Sequence, residues 1–248
     1  MSEARFPTPI LILVEPQLGA NIGLTARAAL NCGLDQIRIV RPREAWPNPS
    51  ALAAAGAAAD VLNTAALHDT VASATADLVL TYAATARPRN ARIPVDSVEE
   101  AASRLRHRLA TAGSTVGVLF GPEASGLDTP SLAHAHRILT FDTSARYPSL
   151  NLAHAALLFC WTWRRTQLTP KVSDGGYREP SAPGEEIGDL VARFLDKLGE
   201  KDFFNSAGAR ETIAGDLNHL LRRAEPSSRE VALLHGMLSC LTANRHDA

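Results

Sequence analysis

The chain has 248 residues, 46% hydrophobic and 21% charged, with a formal net charge of −1. That is ordinary for a soluble globular protein able to bury a sizeable core, as one large domain or a main domain with a small appendage. The longest apolar runs are too short to span a bilayer, and the N-terminus, with Glu3, Pro7 and Pro9, lacks an apolar signal core, so a soluble, cytoplasmic protein is expected.

Thr8–Glu15 is a short apolar run closed by Pro16 and reads as a buried strand. Asn21 is a candidate N-cap for a helix to about Asn31, with Ile22, Ala26, Ala29 and Leu30 inward and Gly33 as the stop. Gln36–Val40 is a second strand, and small residues from Ala51 to about Leu62 predict a closely packed helix. Asp77–Tyr82 is a third strand, entering the basic loop at 84–90. A helix is expected at about Ser97–Ala112, then a strand at Thr115–Phe120, a glycine-framed turn, a short helix near Thr129–Ala135 and a strand at Arg137–Phe141. The helix starting near Ser149 carries two apolar stripes: Leu150, Ala153, Leu157 and Cys160, then Leu152, Ala156, Phe159 and Trp163. Two apolar faces predict burial on both sides, in the core or against a second protomer. Strands alternating with helices give an α/β class, a parallel sheet with helices on both faces. Such sheets bind ligands at the carboxyl ends of their strands.

Composition changes at 166–186, where Thr-Pro-Lys, Asp-Gly-Gly and Pro-Ser-Ala-Pro-Gly make a breaker-rich linker. The expected division is a main domain at 1–165, this linker, and a helical extension at 187–248. Three stripes mark the extension: Ile187 to Leu198, Ile213 to Leu221, and Val231 to Leu241. Ser227 with Glu230 is a capping-box pattern for the last helix. About 60 such residues are marginal alone, so docking is expected. The sparse cysteines Cys32, Cys160 and Cys240 read as buried, inert thiols. The histidines have no metal-ligand spacing except His134 and His136, which would point apart on a helix, and no metal is implied. Arginine clusters at 87–92, 104–108, 164–165 and 222–223 read as solvated faces or as phosphate contacts.

Three short strings carry the chemistry. FGPEASGL at 120–127 sets two glycines around one carboxylate after a buried strand. Gly121 would allow close backbone approach to a ligand, and Gly126 a positive-φ turn. It matches neither nucleotide-binding glycine pattern. PSLN at 148–151 reads alone as a helix cap, and NIGLTAR at 21–27 as a cap followed by an arginine. Each by itself is compatible with a purely structural turn.

Together and in order, Asn21, Gly23 and Arg27, then Phe120, Gly121, Glu123, Gly126 and Leu127, then Ser149, Leu150 and Asn151, resemble the three motifs of the SpoU (TrmH-like) branch of the SPOUT methyltransferases. The 53–62 and 84–87 segments and the tail at 220–241 are similar to the TrmJ group. Two positions depart from that pattern: Pro148, where a serine is common, and Pro122, where arginine is common.

The resemblance implies a C-terminal trefoil knot in the sheet domain, an exception to unknotted chains, and S-adenosyl-L-methionine as cofactor. It would be held near Ala84, Thr85, Ala86, Gly121, Gly126, Phe141, Pro148, Ser149 and Leu150. It implies a homodimer acting on RNA, with Arg27 as the catalytic position and facing the partner's cofactor. Asn21 would position Arg27 or the ribose, Glu123 and Ser149 would order the knot loops, and Asn151 would cap the helix. The expected reaction is methyl transfer to a ribose 2′-hydroxyl, with tRNA nucleotide 32 as the target. The alternatives are a ribosomal RNA enzyme of the same fold, separable by nucleoside mapping, and a knotted RNA-binding protein without activity, separable by cofactor calorimetry.

Overall fold

The computed structural model describes residues 7–86, 93–166 and 179–242. Seven strands form one parallel sheet: β1 (Ile10–Val14), β2 (Ile37–Val40), β3 (Ala66–His68), β4 (Leu80–Ala84), β5 (Val95–Ser97), β6 (Val116–Phe120) and β7 (Arg137–Thr140). Their order is β3-β2-β1-β6-β4-β7-β5, with every neighbouring pair parallel. Central strands β1 and β6 are buried at every position, which is why they read as unbroken apolar runs.

The helices of the sheet domain are α1 (Gly19–Asn31), α2 (Pro49–Ala55), α3 (Ala59–Asn63), α4 (Val71–Thr75), α5 (Val98–Leu109), α6 (Thr129–Leu132) and α7 (Leu152–Thr166). Alternating side chains of β1 feed two cores. Leu11 and Leu13 pack with Ile22, Ala26, Leu105, Ala156 and Phe159 of α1, α5 and α7. Ile10, Ile12 and Val14 pack with Val71 and Ala74 of α4 and Leu132 of α6. Helices therefore cover both faces, and each fully buried Leu or Ile contributes about 1.5–3 kcal/mol.

Several boundaries differ from the sequence expectation for local reasons. The helix expected over 51–62 breaks at Gly56, which takes φ +55 and starts a 3-10 turn before α3. Asn21 is not an N-cap; α1 begins at Gly19, and the Asn21 side chain is used elsewhere. Strand β4 begins three residues later than expected: the chain is still turning out of α4, with the Leu78 N–H donated back to the Thr75 carbonyl. The short β3, α4 and β5 had no clear periodic signal. Helix α5 opens with a capping box, Ser97 Oγ accepting the Glu100 N–H while Glu100 accepts that of Ser97.

Three more helices follow: α8 (Gly184–Gly199), α9 (Ala207–Ala224) and α10 (Ser228–Thr242). Ile187, Leu190, Val191, Leu195, Leu221 and Val231 form their shared core. Ser227 and Glu230 close the capping box before α10. Leu220, Met237 and Leu241, expected inside, are exposed. So is Cys240, whereas Cys32 and Cys160 are buried.

These helices dock at the amino ends of the strands. Gly184 and Glu185 donate to Leu78 and Ala76, and Arg108 of α5 pairs with Glu225 after α9. Arg106 and Arg108 of α5 are spent internally rather than on a solvated face, whereas Arg104 stays exposed. Arg106 lies 4.0 Å from the Trp163 ring centroid and donates to the Trp163 carbonyl, while Arg104 reaches Asp96. Arg222 is buried too. The cluster Arg87, Arg89 and Arg92, and most of the expected linker, lie outside the described residues.

Candidate active site

At the opposite, carboxyl end of the sheet, β4, β6 and β7 deliver their following loops to one place. Ala84 ends β4 and Thr85 and Ala86 follow it, the 121–127 turn follows β6, and Phe141 follows β7. With the 148–150 loop, Leu152 and Ala155 of α7, they enclose a cavity of about 410 Å³. Gly121, Gly126, Pro148, Ser149 and Leu150 all line it, so every residue expected around a cofactor is brought to one cavity. Phe120, Leu127, Leu152 and Ala155 complete the lining. The last two were missed, and their only sequence signal is the i, i+3 spacing on one helix face.

The local turns explain the glycines. Gly126 takes φ +68 and donates its N–H to the Pro122 carbonyl at 2.9 Å, closing the turn. Gly121 is required by the packing of the loop itself: a Cβ there would lie 2.4 Å from the Leu127 nitrogen. Thr143 Oγ1 donates to the Pro148 carbonyl at 3.2 Å, fixing the entry to the third motif. Thr85 donates its N–H to the Leu139 carbonyl, holding the β4 loop in place.

Side chains from all three motifs are tied together beside this cavity. Asn21 Nδ2 donates to Glu123 Oε1 at 2.6 Å, and the other carboxylate oxygen accepts the Gln17 N–H at 2.9 Å. Asn151 Nδ2 donates to Asn21 Oδ1 at 3.2 Å, while Asn151 Oδ1 accepts the Ala153 N–H at 2.8 Å. One chain of hydrogen bonds thus joins the 121–127 turn, α1 and the start of α7. Glu44, not anticipated, accepts the Gly19 N–H and an Asn48 amide hydrogen at the head of α1. Ser149 is exposed at the cavity. Arg27 is exposed on α1 and does not line the cavity of its own chain.

The lining combines apolar side chains (Ala84, Phe120, Leu127, Phe141, Leu150) with backbone polar groups and the Thr85, Glu123, Ser125 and Ser149 side chains. Such a cavity suits a small ligand with a flat apolar ring and a polar or cationic part. S-adenosylmethionine has that chemistry, and the residues present fit it. The described residues contain no group of three or more His, Cys, Asp or Glu placed to hold a metal ion.

Residues 8–161 match the model of the SpoU rRNA Methylase family. The chain belongs to that family. This SpoU-family chain is similar to the crystal structure of TrmJ from Z. mobilis ZM4, with 41% identity, a TM-score of 0.84, and coverage of 94% of this chain and 99% of that one. It is 29% identical over 246 residues to the tRNA (cytidine/uridine-2′-O-)-methyltransferase TrmJ of Cronobacter sakazakii, covering 96% and 97% of the two chains. The SpoU methyltransferase AviRb from Streptomyces viridochromogenes, solved in complex with AdoMet, shares the fold at 14% identity and a TM-score of 0.50 over 67% of this chain and 62% of its own.

Proposed function

We propose that this SpoU-family chain is an S-adenosylmethionine-dependent tRNA 2′-O-ribose methyltransferase that modifies cytidine or uridine 32 of the anticodon loop. The observation that carries the reading is similarity to TrmJ over nearly the whole chain, including the helical extension. The cavity lined by the second and third motifs, with Asn21 of the first tied beside it, supports it. A tRNA substrate makes the cytoplasm its place of action.

The cofactor would supply a methyl group on a sulfonium centre, already activated for attack. The chain must hold it, align the ribose and assist loss of the hydroxyl proton. The backbone at 84–86, 121 and 148–150 would hold it, in loops that the resemblance reads as a trefoil knot. Glu123 and Asn151, committed to Asn21 and to backbone N–H groups, brace those loops. Arg27 is the catalytic residue of this reading. A guanidinium stays protonated in proteins, so it serves by stabilising the developing alkoxide and gripping an adjacent phosphate, which itself accepts the proton.

Arg27 needs a second chain. Leu24 and Leu30 flank it on α1, and Leu157, Leu158 and Trp161 are exposed on α7, which packs beside α1. Trp161 keeps 55% of its surface exposed, unusual for so large an apolar residue. A homodimer across this layer would cover it and carry Arg27 to the partner's cavity.

The test is incubation of purified protein with labelled S-adenosylmethionine and total tRNA or ribosomal RNA, followed by nucleoside mapping. Label in 2′-O-methylcytidine or 2′-O-methyluridine at tRNA position 32 is expected. Label confined to ribosomal RNA, or cofactor binding without transfer, would replace the reading.

A further inference from the structure

The turn that leads from β7 into the third motif presents a ring and a cation that the cofactor site does not use. Residues 142–147 join Phe141 to Pro148, and both of those residues line the cavity. Within the turn Arg146 and Tyr147 are exposed. Tyr147 keeps 78% of its surface exposed, against 55% for Trp161 in the apolar layer of α7.

The backbone that carries the ring is nevertheless fixed. The Tyr147 N–H donates to the Ser144 carbonyl at 3.0 Å, and the Arg146 N–H donates to Ser144 Oγ at 3.3 Å. On the other side of the ring, the Pro148 carbonyl accepts from Thr143 Oγ1 at 3.2 Å. A proline next in the chain also bars Tyr147 from the helical backbone region. The turn is thus closed before and after Tyr147, while its side chain is left to solvent.

Its place is as specific as its backbone. Pro148 and Ser149, the next two residues, are walls of the cavity, and consecutive Cα atoms lie roughly 3.8 Å apart. A ribose presented to a methyl donor in that cavity carries its own base to the rim. Proteins hold the unstacked bases of single-stranded RNA on aromatic faces, and a tyrosine does this at low entropic cost because only two side-chain torsions are frozen. A neighbouring arginine suits the phosphates of the same strand.

We infer that Tyr147 is the stacking platform for the base of the nucleotide whose ribose is methylated, with Arg146 contacting a phosphate of that strand. The inference rests on the methyltransferase reading above. Stacking uses the face of a base and reads none of its hydrogen-bonding edge, so the platform admits cytidine and uridine alike.

The experiment measures binding of the full chain, with S-adenosylhomocysteine present, to an anticodon stem-loop RNA by fluorescence anisotropy. A second RNA carries an abasic ribose at the target position. Tyr147→Ala should weaken binding of the intact RNA roughly 5–150-fold, and Tyr147→Phe should stay close to wild type. On the abasic RNA, wild type and Tyr147→Ala should bind alike, because the ring then has nothing to stack on. Calorimetry should find the cofactor affinity of Tyr147→Ala unchanged. Equal binding of the intact RNA by wild type and Tyr147→Ala would overturn the platform, as would an equal loss on both RNAs. A Tyr147→Ala protein that loses cofactor affinity, or sediments as a monomer where wild type is a dimer, would make the ring part of the cavity wall or of a protein interface instead. Those four results leave methyl transfer by the wild type standing. A stem-loop that the wild type neither binds nor methylates would overturn both the platform and the reading beneath it.

Discussion

Glu123 shows how little freedom the motif carboxylate has. Both its oxygens accept hydrogen bonds, from the Gln17 backbone and the Asn21 amide, so it acts as a brace between loop and helix. Arg27 is its opposite, exposed and outside the cavity of its own chain. Arg27→Ala should therefore lower kcat about 10²–10³-fold, while calorimetry finds the cofactor affinity unchanged. Arg27→Lys should lose most of that activity, because a lysine cannot grip alkoxide and phosphate with two parallel donors. Near-normal turnover of the lysine variant would reject the bidentate role. At this scale the sequence exposed the residue types but not their partners. Asn21 reads as a helix cap, and only the approach of residues 102 and 130 positions away makes it a cross-link.

At the scale of elements, the motif glycines answer to packing. A Cβ on Gly23 would sit 2.2 Å from the Ala51 carbonyl oxygen, so α1 and α2 meet backbone to backbone there. Gly23→Ala should force them apart and cost about 1–3 kcal/mol, read as a lower urea midpoint at unchanged slope. Helix α7 makes the complementary point. Its Leu152, Ala156, Phe159 and Trp163 stripe is buried within the chain, while Leu157, Leu158 and Trp161 are left outside. Trp161→Glu should yield monomers in sedimentation and, with Arg27 deprived of a partner cavity, lose activity while each monomer stays folded. A dimeric, active Trp161→Glu protein would place the interface elsewhere.

Across the whole molecule, the two ends of the sheet divide the work. The carboxyl ends build the cavity, and the amino ends receive the helical extension on a bed of buried histidine and arginine. Burial, with the charges of Arg222 and His219, pushes His134 down to about 4. Burial, with Arg222 and Arg108, also holds His136 well below its ordinary value. The unfolded chain then binds more protons than the folded one below pH ~6.5, so stability is full above that pH and falls as pH drops. The slope should approach about 1.4 kcal/mol per pH unit for each histidine, with the His134 part levelling off near pH 4. Asp96 adds a later loss. Burial raises its carboxyl, but hydrogen bonds from Arg137 and Tyr82 and the nearby arginine charges outweigh that and hold it low. Its contribution, present above the unfolded carboxylate range, disappears only at more acid pH. Urea unfolding at pH 7, 6 and 5 checks the histidine part, and a flat profile over that range would contradict it.

The sequence by itself determined the alternation of strand and helix, the apolar runs of β1 and β6, the capping box at Ser227, and the three motif strings. These are local properties: periodicity, turn chemistry and short spacings written along the chain. Only the tertiary structure decided that Gly23 and Gly121 are required by contacts with Ala51 and Leu127, and that Arg106, Arg108 and Arg222 are internal. The same holds for the gathering of Ala84, Gly121, Phe141 and Ser149 around one cavity. Burial and close approach depend on which distant segments the parallel crossovers bring side by side, and nothing in a residue's own neighbourhood along the chain records that.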